Sequence, residues 1–411
     1  MTQSQGSLAN LRVLDLAGPM GAYCTKLLAG LGADVIKIEP SQGDVLRARG
    51  PFYQGVRDPE ASLAFWHYHA SKRSVTLNLE LPQGQDLFRR LARTADIVVE
   101  TFPPGYLAGL GLGYADLERL NPRLILTSIT AFGQEGPYRD FKGADIVGVS
   151  MGGHAYIHGT RDRPPLAYAG FQGFHQASLH GLAYTLIALC ARDLTGVGQH
   201  VDVSMQAACA MALPYTIARN EAWGDVRRRG ESVEFEATRV AFGILPCADG
   251  YVYSSPTIRG VQALVRWLEE EGVAQDLTDS RWGGWTDAAL LRQKEAIEHF
   301  QPIYRRWLLG HTKVALCEEA QRRGISIVPV ADIKDVVEDP QLGFRGFFVP
   351  VAHPELGRSL TYPGPPIKFA ATPWQAPRRA PRLGEHNAAV YQGELGLSPE
   401  EVLAFQREGV L

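Results

Sequence analysis

Residues 11–39 read LRVLDLAGPMGAYCTKLLAGLGADVIKIE, and this stretch decides the fold. It begins with a hydrophobic, strand-forming segment that ends at the AGP turn of residues 17–19. A helical segment through Lys26 follows, and a second strand is predicted at residues 34–39. A strand, a helix and a strand in such close succession are typical of two parallel strands joined by a crossover helix. The chain is therefore predicted to begin with a parallel sheet.

The first turn of this unit only partly matches a dinucleotide-binding turn. Glu39 follows the first glycine by about 20 residues, the distance at which an acidic residue binds ribose in such folds. However, residues 18–21 read GPMG rather than G-x-G-x-x-G, and Pro19 lacks the backbone N–H that a pyrophosphate needs. We therefore expect no nicotinamide or flavin cofactor.

The composition is that of an ordinary globular protein with room for two domains. The chain has 411 residues, of which 45% are hydrophobic and 21% are charged. A net charge of -3 argues against binding to nucleic acid or to a membrane surface. The three arginines at residues 227–229 are interpreted as a solvated loop face rather than a phosphate site.

The cysteines and the N-terminus predict a cytoplasmic protein. Five cysteines are widely spaced and form no CxxC motif, which is typical of reduced thiols without a metal. No signal peptide and no bilayer-spanning segment is predicted. His67 and His69 could share a metal only on an extended strand with a third ligand, so we interpret the run FWHYH at residues 65–69 as roofing a pocket or lining an interface.

The alternation of strands and helices divides the chain into three parts. It predicts a large α/β domain at residues 1–215, which includes a long loop from Pro40 to His69 and a strand at residues 74–79. Residues 216–330 form a predicted smaller α+β domain. They hold a hairpin turned at residues 248–250 and charged helical segments at 261–270, 288–300 and 313–323. Residues 331–411 are expected to pack back onto the first domain or onto a partner subunit.

Residues 165–204 are predicted to position the reacting group. A glycine-rich turn leads into a long apolar helix that ends near Arg192 and is followed by a strand. A loop held by a buried helix can position a reacting group. No Asp or Glu occurs between Asp162 and Asp193. His175, near the helix start, is either a capping or packing residue or a catalytic one.

Several runs resemble the family III CoA-transferases, the CaiB/BaiF group, which includes formyl-CoA, carnitine and benzylsuccinate CoA-transferases and the alpha-methylacyl-CoA racemases. They include GADVIKIE at 32–39, FGQEGPY at 132–138, HPELG at 353–357 and RLGEH at 382–386, in an order kept along almost the whole chain. The resemblance implies a Rossmann-like large domain with a parallel sheet, completed by residues 331–411. It also implies a small domain in between and two chains threaded through each other as an interlocked dimer.

The resemblance further implies that CoA and acyl-CoA are substrates. Lys72 and Arg73 match the family's basic pair near the CoA phosphates, since cations pair with phosphate. Lys142 matches a lysine near CoA, and Phe102 matches an aromatic residue that lines its site. Residues 101–105 read TFPPG where many relatives have NFRPG, so the CoA contacts are expected to differ here.

The catalytic Asp of the family is missing from this chain. Transferases of this family attack the thioester with an Asp just before the helix that ends in A-L-x-x-R. Counting back from ALCAR at residues 188–192 places that Asp at Phe174 or His175. The His that the racemases use corresponds to Ala144, and the neighbouring Asp145 is either a helix N-cap or a base.

Three readings remain open from the sequence. The chain could be the non-catalytic member of a heteromeric CoA-transferase whose paralogous partner carries the Asp. It could be a self-sufficient acyl-CoA enzyme, a lyase, isomerase or altered transferase, that uses His175, His180 or Asp145 for proton transfer. It could also be a CoA-binding protein without turnover.

Overall fold

The computed structural model describes residues 6–159, 162–224, 226 and 239–411, so the arginines at residues 227–229 lie outside the described residues. The described residues fall into two compact units. The first lies within the spans Met1–Ala155, Ala167–Asp225 and Gly343–Leu411, and the second within Tyr156–Leu166 and Val226–Leu342. The predicted divisions at residues 215 and 330 both precede these boundaries.

The strands form one parallel sheet and two smaller antiparallel ones. They are β1 Arg12–Leu16, β2 Asp34–Glu39, β3 Arg73–Thr76, β4 Ile97–Glu100, β5 Ile125–Thr130, β6 His200–Ser204, β7 Gly243–Cys247, β8 Gly250–Ser254, β9 Ile327–Pro329, β10 Phe348–His353 and β11 Arg358–Pro363. The first six strands pair in the order β3-β2-β1-β4-β5-β6 and all run parallel. The predicted parallel sheet and the α/β fold class are confirmed.

The helices lie along the whole chain. They are α1 Ala22–Gly30, α2 Leu63–His69, α3 Pro82–Ala92, α4 Tyr106–Gly109, α5 Tyr114–Leu120, α6 Asp145–Met151, α7 His154–Ile157, α8 Gln172–Thr195, α9 Met205–Met211, α10 Pro214–Trp223, α11 Ile258–Glu270, α12 Lys294–Leu308, α13 Lys313–Arg322, α14 Ile333–Val337, α15 Pro340–Phe344 and α16 Pro399–Arg407, with a π-helix at Ala388–Glu394. Short 3-10 turns occur at Val45–Ala48, Tyr53–Gly55, Pro59–Ala61, Ser280–Trp285, Leu290–Arg292 and Pro354–Leu356.

Helices cover both faces of the parallel sheet, as a sheet with buried strands requires. On one face, Leu28 of α1 and Ala177 of α8 pack with Val13 of β1. On the other face, Phe88 of α3 packs with Leu14 of β1 and with Tyr391 of the C-terminal π-helix. The C-terminal segment therefore supplies part of the first unit's core.

The second unit has its own core. Strands β7 and β8 form the hairpin that the sequence predicted, and β9 adds a third antiparallel strand. The buried side chains of Trp267, Trp285 and Tyr304 belong to its hydrophobic cluster. A unit with such a core can bury the apolar faces of its own helices.

Three predicted elements were placed wrongly. The loop predicted between Pro40 and His69 contains 3-10 turns and the whole of α2. The helix predicted at residues 288–300 begins instead at Lys294, because Leu290–Arg292 forms a separate 3-10 turn. The strand predicted at residues 74–79 is Arg73–Thr76.

In the part of the chain that the structure describes, we find no helix both long and apolar enough to cross a membrane.

Candidate functional site

Helix α8 begins without a carboxylate at the position where the family resemblance places the nucleophile. Phe171 precedes the helix in the left-handed conformation, with φ 59° and ψ 43°, and Phe174 and His175 lie in the first turn. The Phe174 ring stacks on Phe171 with ring centres 5.7 Å apart, and it packs against the core of the first unit. A phenyl ring offers no nucleophile to a thioester.

Asp145 holds the start of α8. Its Oδ1 accepts a hydrogen bond from the backbone N–H of Phe174 at 2.9 Å. The N-cap of α6 is Ala144, and Asp145 is the first residue of that helix. The interpretation of Asp145 as the N-cap of its own helix is therefore wrong, because its side chain satisfies an N–H of the neighbouring helix instead. Its role as a base stays a prediction.

His175 is paired with a tyrosine. Its Nε2 lies 2.8 Å from the hydroxyl of Tyr68 on α2, and its ring lies 4.8 Å from the ring of Tyr23. Burial lowers the pKa of His175, nearby Lys26 lowers it further, and Asp145 opposes both effects. The imidazole is therefore neutral at pH 7 and could accept a proton. His175 lies inside the helix, so the N-cap interpretation is wrong, while both a packing role and a catalytic role fit its position.

His175 lines a cavity of about 190 Å³ within the first unit. Four lining residues lie on one face of α1, at the i, i+3, i+4 and i+7 spacing that brings helical side chains together: Tyr23, Lys26, Leu27 and Gly30. The cavity is also lined by His67 of α2, by Tyr362 of β11 and by Trp374. The run at residues 65–69 was predicted to roof a pocket or line an interface, and His67 does line a pocket.

Two basic groups inside this cavity have lowered pKa values. The Lys26 Nζ atom lies 3.0 Å from Nε2 and 3.2 Å from Nδ1 of His67. Burial and the charge of Lys72 lower the pKa of Lys26 to about 7. Burial, Lys26 and His175 lower the pKa of His67 to about 3. The cavity therefore carries a single readily protonated amine beside neutral imidazoles at pH 7.

Lys72, assigned to CoA phosphate by the resemblance, is enclosed by its own chain. Its Nζ contacts Asp15 Oδ2 at 2.8 Å, Thr25 Oγ1 at 2.7 Å and His69 Nδ1 at 3.0 Å, and the residue is 3% exposed. Burial would raise the pKa of Asp15, but Lys72 and Lys37 beside it lower that pKa on balance. The ammonium thus neutralises a buried carboxylate, and this geometry favours a structural role for Lys72 over phosphate binding.

Arg73, the other half of that pair, is also occupied. Its Nε and Nη2 donate to the two oxygens of Asp34 at 2.8 Å and 2.5 Å, and its Nη1 donates to Glu394 at 2.5 Å. Asp34 is the first residue of β2, whereas open parallel sheets bind ligands at the carboxyl ends of their strands. The position of Arg73 therefore favours a role in holding the C-terminal segment.

Phe102 lies where ligands of such sheets bind. It lines a groove of about 300 Å³ together with Leu16 and Ile38, near the carboxyl ends of β1 and β2. The ring of Tyr106 lies 4.6 Å from that of Phe102. Tyr106 was not singled out from the sequence. No helical spacing signals their contact, because Phe102 lies before α4, which begins at Tyr106.

Lys142 and His180 lie apart from the cavity lining. Lys142 is exposed in the segment before α6. The His180 Nδ1 atom lies 2.9 Å from the carbonyl oxygen of Gln176, one turn back on α8, and its ring stacks on Tyr184. The structure thus joins His175 to Lys26, His67 and Tyr68, but does not bring His180 to the same place.

The two histidines flanking Tyr68 do not form a metal site. They lie two residues apart on a helix, so they face different sides, with His67 at the cavity and His69 beside Lys72. In the described ranges, no group of three or more His, Cys, Asp or Glu side chains could hold a metal ion.

The sheet order and the groove at its carboxyl ends define a Rossmann-like α/β protein. The sequence matches CoA-transferase family III across residues 8–387. It is 36% identical to the BbsE subunit of succinyl-CoA:(R)-benzylsuccinate CoA-transferase from Thauera aromatica, covering 93% of each chain. It is 35% identical to a formyl-CoA:oxalate CoA-transferase from Streptomyces avermitilis, covering 98% of this chain and 99% of the relative.

A solved structure shares the fold. The crystal structure of a CAIB/BAIF family protein from Brucella suis superposes with a TM-score of 0.83 at 27% identity, covering 95% of this chain and 100% of that one. This chain belongs to CoA-transferase family III. It is a CoA-transferase enzyme, and CoA thioesters are its substrates.

Proposed function

We propose that this chain is one subunit of a heteromeric CoA-transferase, in which a paralogous partner chain supplies the Asp that attacks the thioester. The observation that carries the proposal is the first turn of α8, where Phe174 and His175 occupy the two positions at which the resemblance places the nucleophile. Asp145 is a carboxylate that contacts this turn, and its Oδ1 accepts a hydrogen bond from the N–H of Phe174. The BbsE relative is likewise a subunit of its enzyme, succinyl-CoA:(R)-benzylsuccinate CoA-transferase.

Exposed apolar side chains on α8 and α10 support the proposal that a partner chain binds here. On α8, Tyr184, Ile187 and Leu194 are 49%, 59% and 90% exposed and follow helical spacing. Trp223 at the end of α10 is 71% exposed. Large exposed apolar side chains are typical of protein interfaces. An intertwined dimer, with itself or with the paralogue, would cover them.

CoA binding in this proposal relies on Phe102 and Lys142. Phe102 can place its ring against the ligand in the groove at the carboxyl ends of β1 and β2. Lys142 is exposed and has no salt bridge within the described ranges, so its ammonium is available to a phosphate. Lys72 and Arg73 act indirectly, by holding the sheet and the C-terminal segment in place.

A trapping experiment tests which of the two chains carries the nucleophile. The chain would be incubated with acyl-CoA, alone and together with its paralogue, and then treated with hydroxylamine or borohydride. Acyl anhydrides and enzyme thioesters react with these reagents, and mass spectrometry locates the modified carboxyl group. We expect modification of the partner and none of this chain. A modified Asp or Glu in this chain would overturn the proposal.

The contact between His175 and Tyr68 favours a second candidate, a self-sufficient acyl-CoA enzyme with His175 as general base. The substitution His175→Gln separates the two candidates in the complete enzyme. If His175 only packs, kcat is retained. If it transfers a proton, kcat falls by about 100-fold or more while CoA affinity is unchanged. His180→Gln is measured in parallel, because His180 is the other candidate histidine of this reading and contacts only its own helix among the hydrogen bonds of the described residues.

A further inference from the structure

The amine of Lys26 lies in the cavity without an acidic counterpart. None of the lining residues is an Asp or Glu, and all of them belong to the described part of the first unit. Burial and the charge of Lys72 lower the pKa of Lys26, and its close contact is His67. A buried cation without a counter-ion is costly, and a bound anion removes that cost.

The rest of the lining suits an organic anion with an apolar body. The rings of Tyr23, Tyr362 and Trp374 line the same cavity as the amine, together with proline and leucine side chains. An aromatic wall with one convergent charged group is typical of sites that bind small organic molecules. A free phosphate would leave these rings without a contact. A carboxylate on a hydrocarbon or aryl group would meet both the amine and the wall.

We propose that this cavity binds a carboxylate of the acid substrate, with Lys26 as its cationic partner and the aromatic wall around its apolar body. The link to the acid substrate rests on the proposed CoA-transferase function, whereas the carboxylate site itself rests on the cavity. Its position beside His175 brings the bound acid to the start of α8. Lys26 is a binding residue in this proposal and takes no part in bond making.

Calorimetry on the full-length chain tests the site with phenylacetate as the probe and phenylacetamide as its neutral counterpart. We expect phenylacetate to bind about tenfold or more tightly than the amide, because a desolvated amine discriminates between a charge and a dipole. Lys26→Met should remove that preference. Lys294→Met is the control, since the side chain of Lys294 is 86% exposed in the second unit. An unchanged preference in Lys26→Met, or binding of inorganic phosphate without phenylacetate, overturns the proposal.

A measurement on the unsubstituted chain remains decisive if Lys26→Met does not fold. The titratable groups that line the cavity with Lys26 are Tyr23 on its own helix, His67 on α2, His175 on α8 and Tyr362 on β11, and the charge of Lys72 acts from outside the lining. Since Lys26 has a pKa of about 7 and His67 one of about 3, binding of phenylacetate at pH 8 should take up nearly one proton through Lys26. Calorimetry in two buffers of different ionisation enthalpy measures this uptake. Binding without proton uptake overturns the proposal.

CoA binding to the same preparation separates this inference from the proposed function. A chain that binds CoA but shows no preference for phenylacetate contradicts the proposed carboxylate site and remains consistent with the proposed role as a transferase subunit. A chain that binds phenylacetate through Lys26 but does not bind CoA, alone or with its paralogue, contradicts the transferase proposal and leaves the carboxylate site intact.

Discussion

Among single residues, Glu100 is a buried carboxyl group that has no salt bridge within the described ranges. It ends β4 and is 5% exposed, and its Oε2 accepts the N–H of Phe102 at 2.6 Å. Burial, together with Asp202, raises the pKa of Glu100 to about 7, and hydrogen bonds from Ser128 and Phe102 only partly oppose this. The residue next to the groove is therefore half-protonated near neutral pH.

The raised pKa of Glu100 predicts how its substitution changes stability with pH. The folded chain binds this proton more tightly than the unfolded chain, so stability falls as pH rises from 4.5 through about 7. Glu100→Gln should therefore raise the free energy of unfolding by about 1–3 kcal/mol at pH 8 and leave it unchanged at pH 4. Urea unfolding at both pH values measures the difference, with exposed Glu298→Gln as the control. Equal effects at the two pH values would contradict the assigned titration.

At the scale of elements, α8 depends on a cap that lies far from it in sequence. Asp145→Ala removes the acceptor for the Phe174 N–H and should cost about 1 kcal/mol of unfolding free energy, the usual effect of losing a helix cap. Asp145→Asn keeps an oxygen at that position and should retain most of the stability. Asp140→Ala is the control, because the Asp140 side chain is 80% exposed. Chemical denaturation at fixed protein concentration measures all three. A stable Asp145→Ala chain would show that α8 needs no cap from α6.

Periodicity in the sequence located the elements that repeat a local pattern. The strand-helix-strand unit of residues 11–39 and the hairpin at residues 248–250 were both predicted, because alternation and turn residues act over a few positions. Helix α2 was missed, since glycine and proline in the preceding residues suggested a continuous loop.

The site was predictable only in part. The sequence showed that the residues around Phe174 include no carboxylate, and it made His175 a candidate catalytic residue. Both conclusions depend only on the order of residues in one helix. The contacts of His175 with Tyr68 and of Asp145 with Phe174 could not be predicted from the sequence, since each joins segments that the fold alone brings together. Matching by motif also assigned Lys72 to the CoA phosphates, whereas its burial beside Asp15 favours a structural role.

For the molecule as a whole, the first unit depends on the C-terminal segment. Val390, Tyr391 and Val402 belong to the core cluster that includes Leu14 of the central strand β1. The Tyr391 hydroxyl donates to the carbonyl oxygen of Thr76 at 2.7 Å. Asn78 donates its backbone N–H to Val410 at 2.8 Å. Burying each large apolar side chain contributes about 1.5–3 kcal/mol, so the segment's share is a large part of a typical domain's stability.

Tyr391 offers a graded test of this dependence, because its side chain makes both an apolar and a polar contribution. Tyr391→Phe removes only the hydrogen bond to Thr76 and should cost about 1 kcal/mol. Tyr391→Ala also leaves a cavity and should cost about 3–5 kcal/mol. Leu403→Ala, on the outer face of α16 and 52% exposed, should change the free energy of unfolding by less than about 0.5 kcal/mol. Thermal and urea unfolding measure the series. Equal losses for Tyr391→Ala and Leu403→Ala would mean that the parallel sheet is stable without the C-terminal segment.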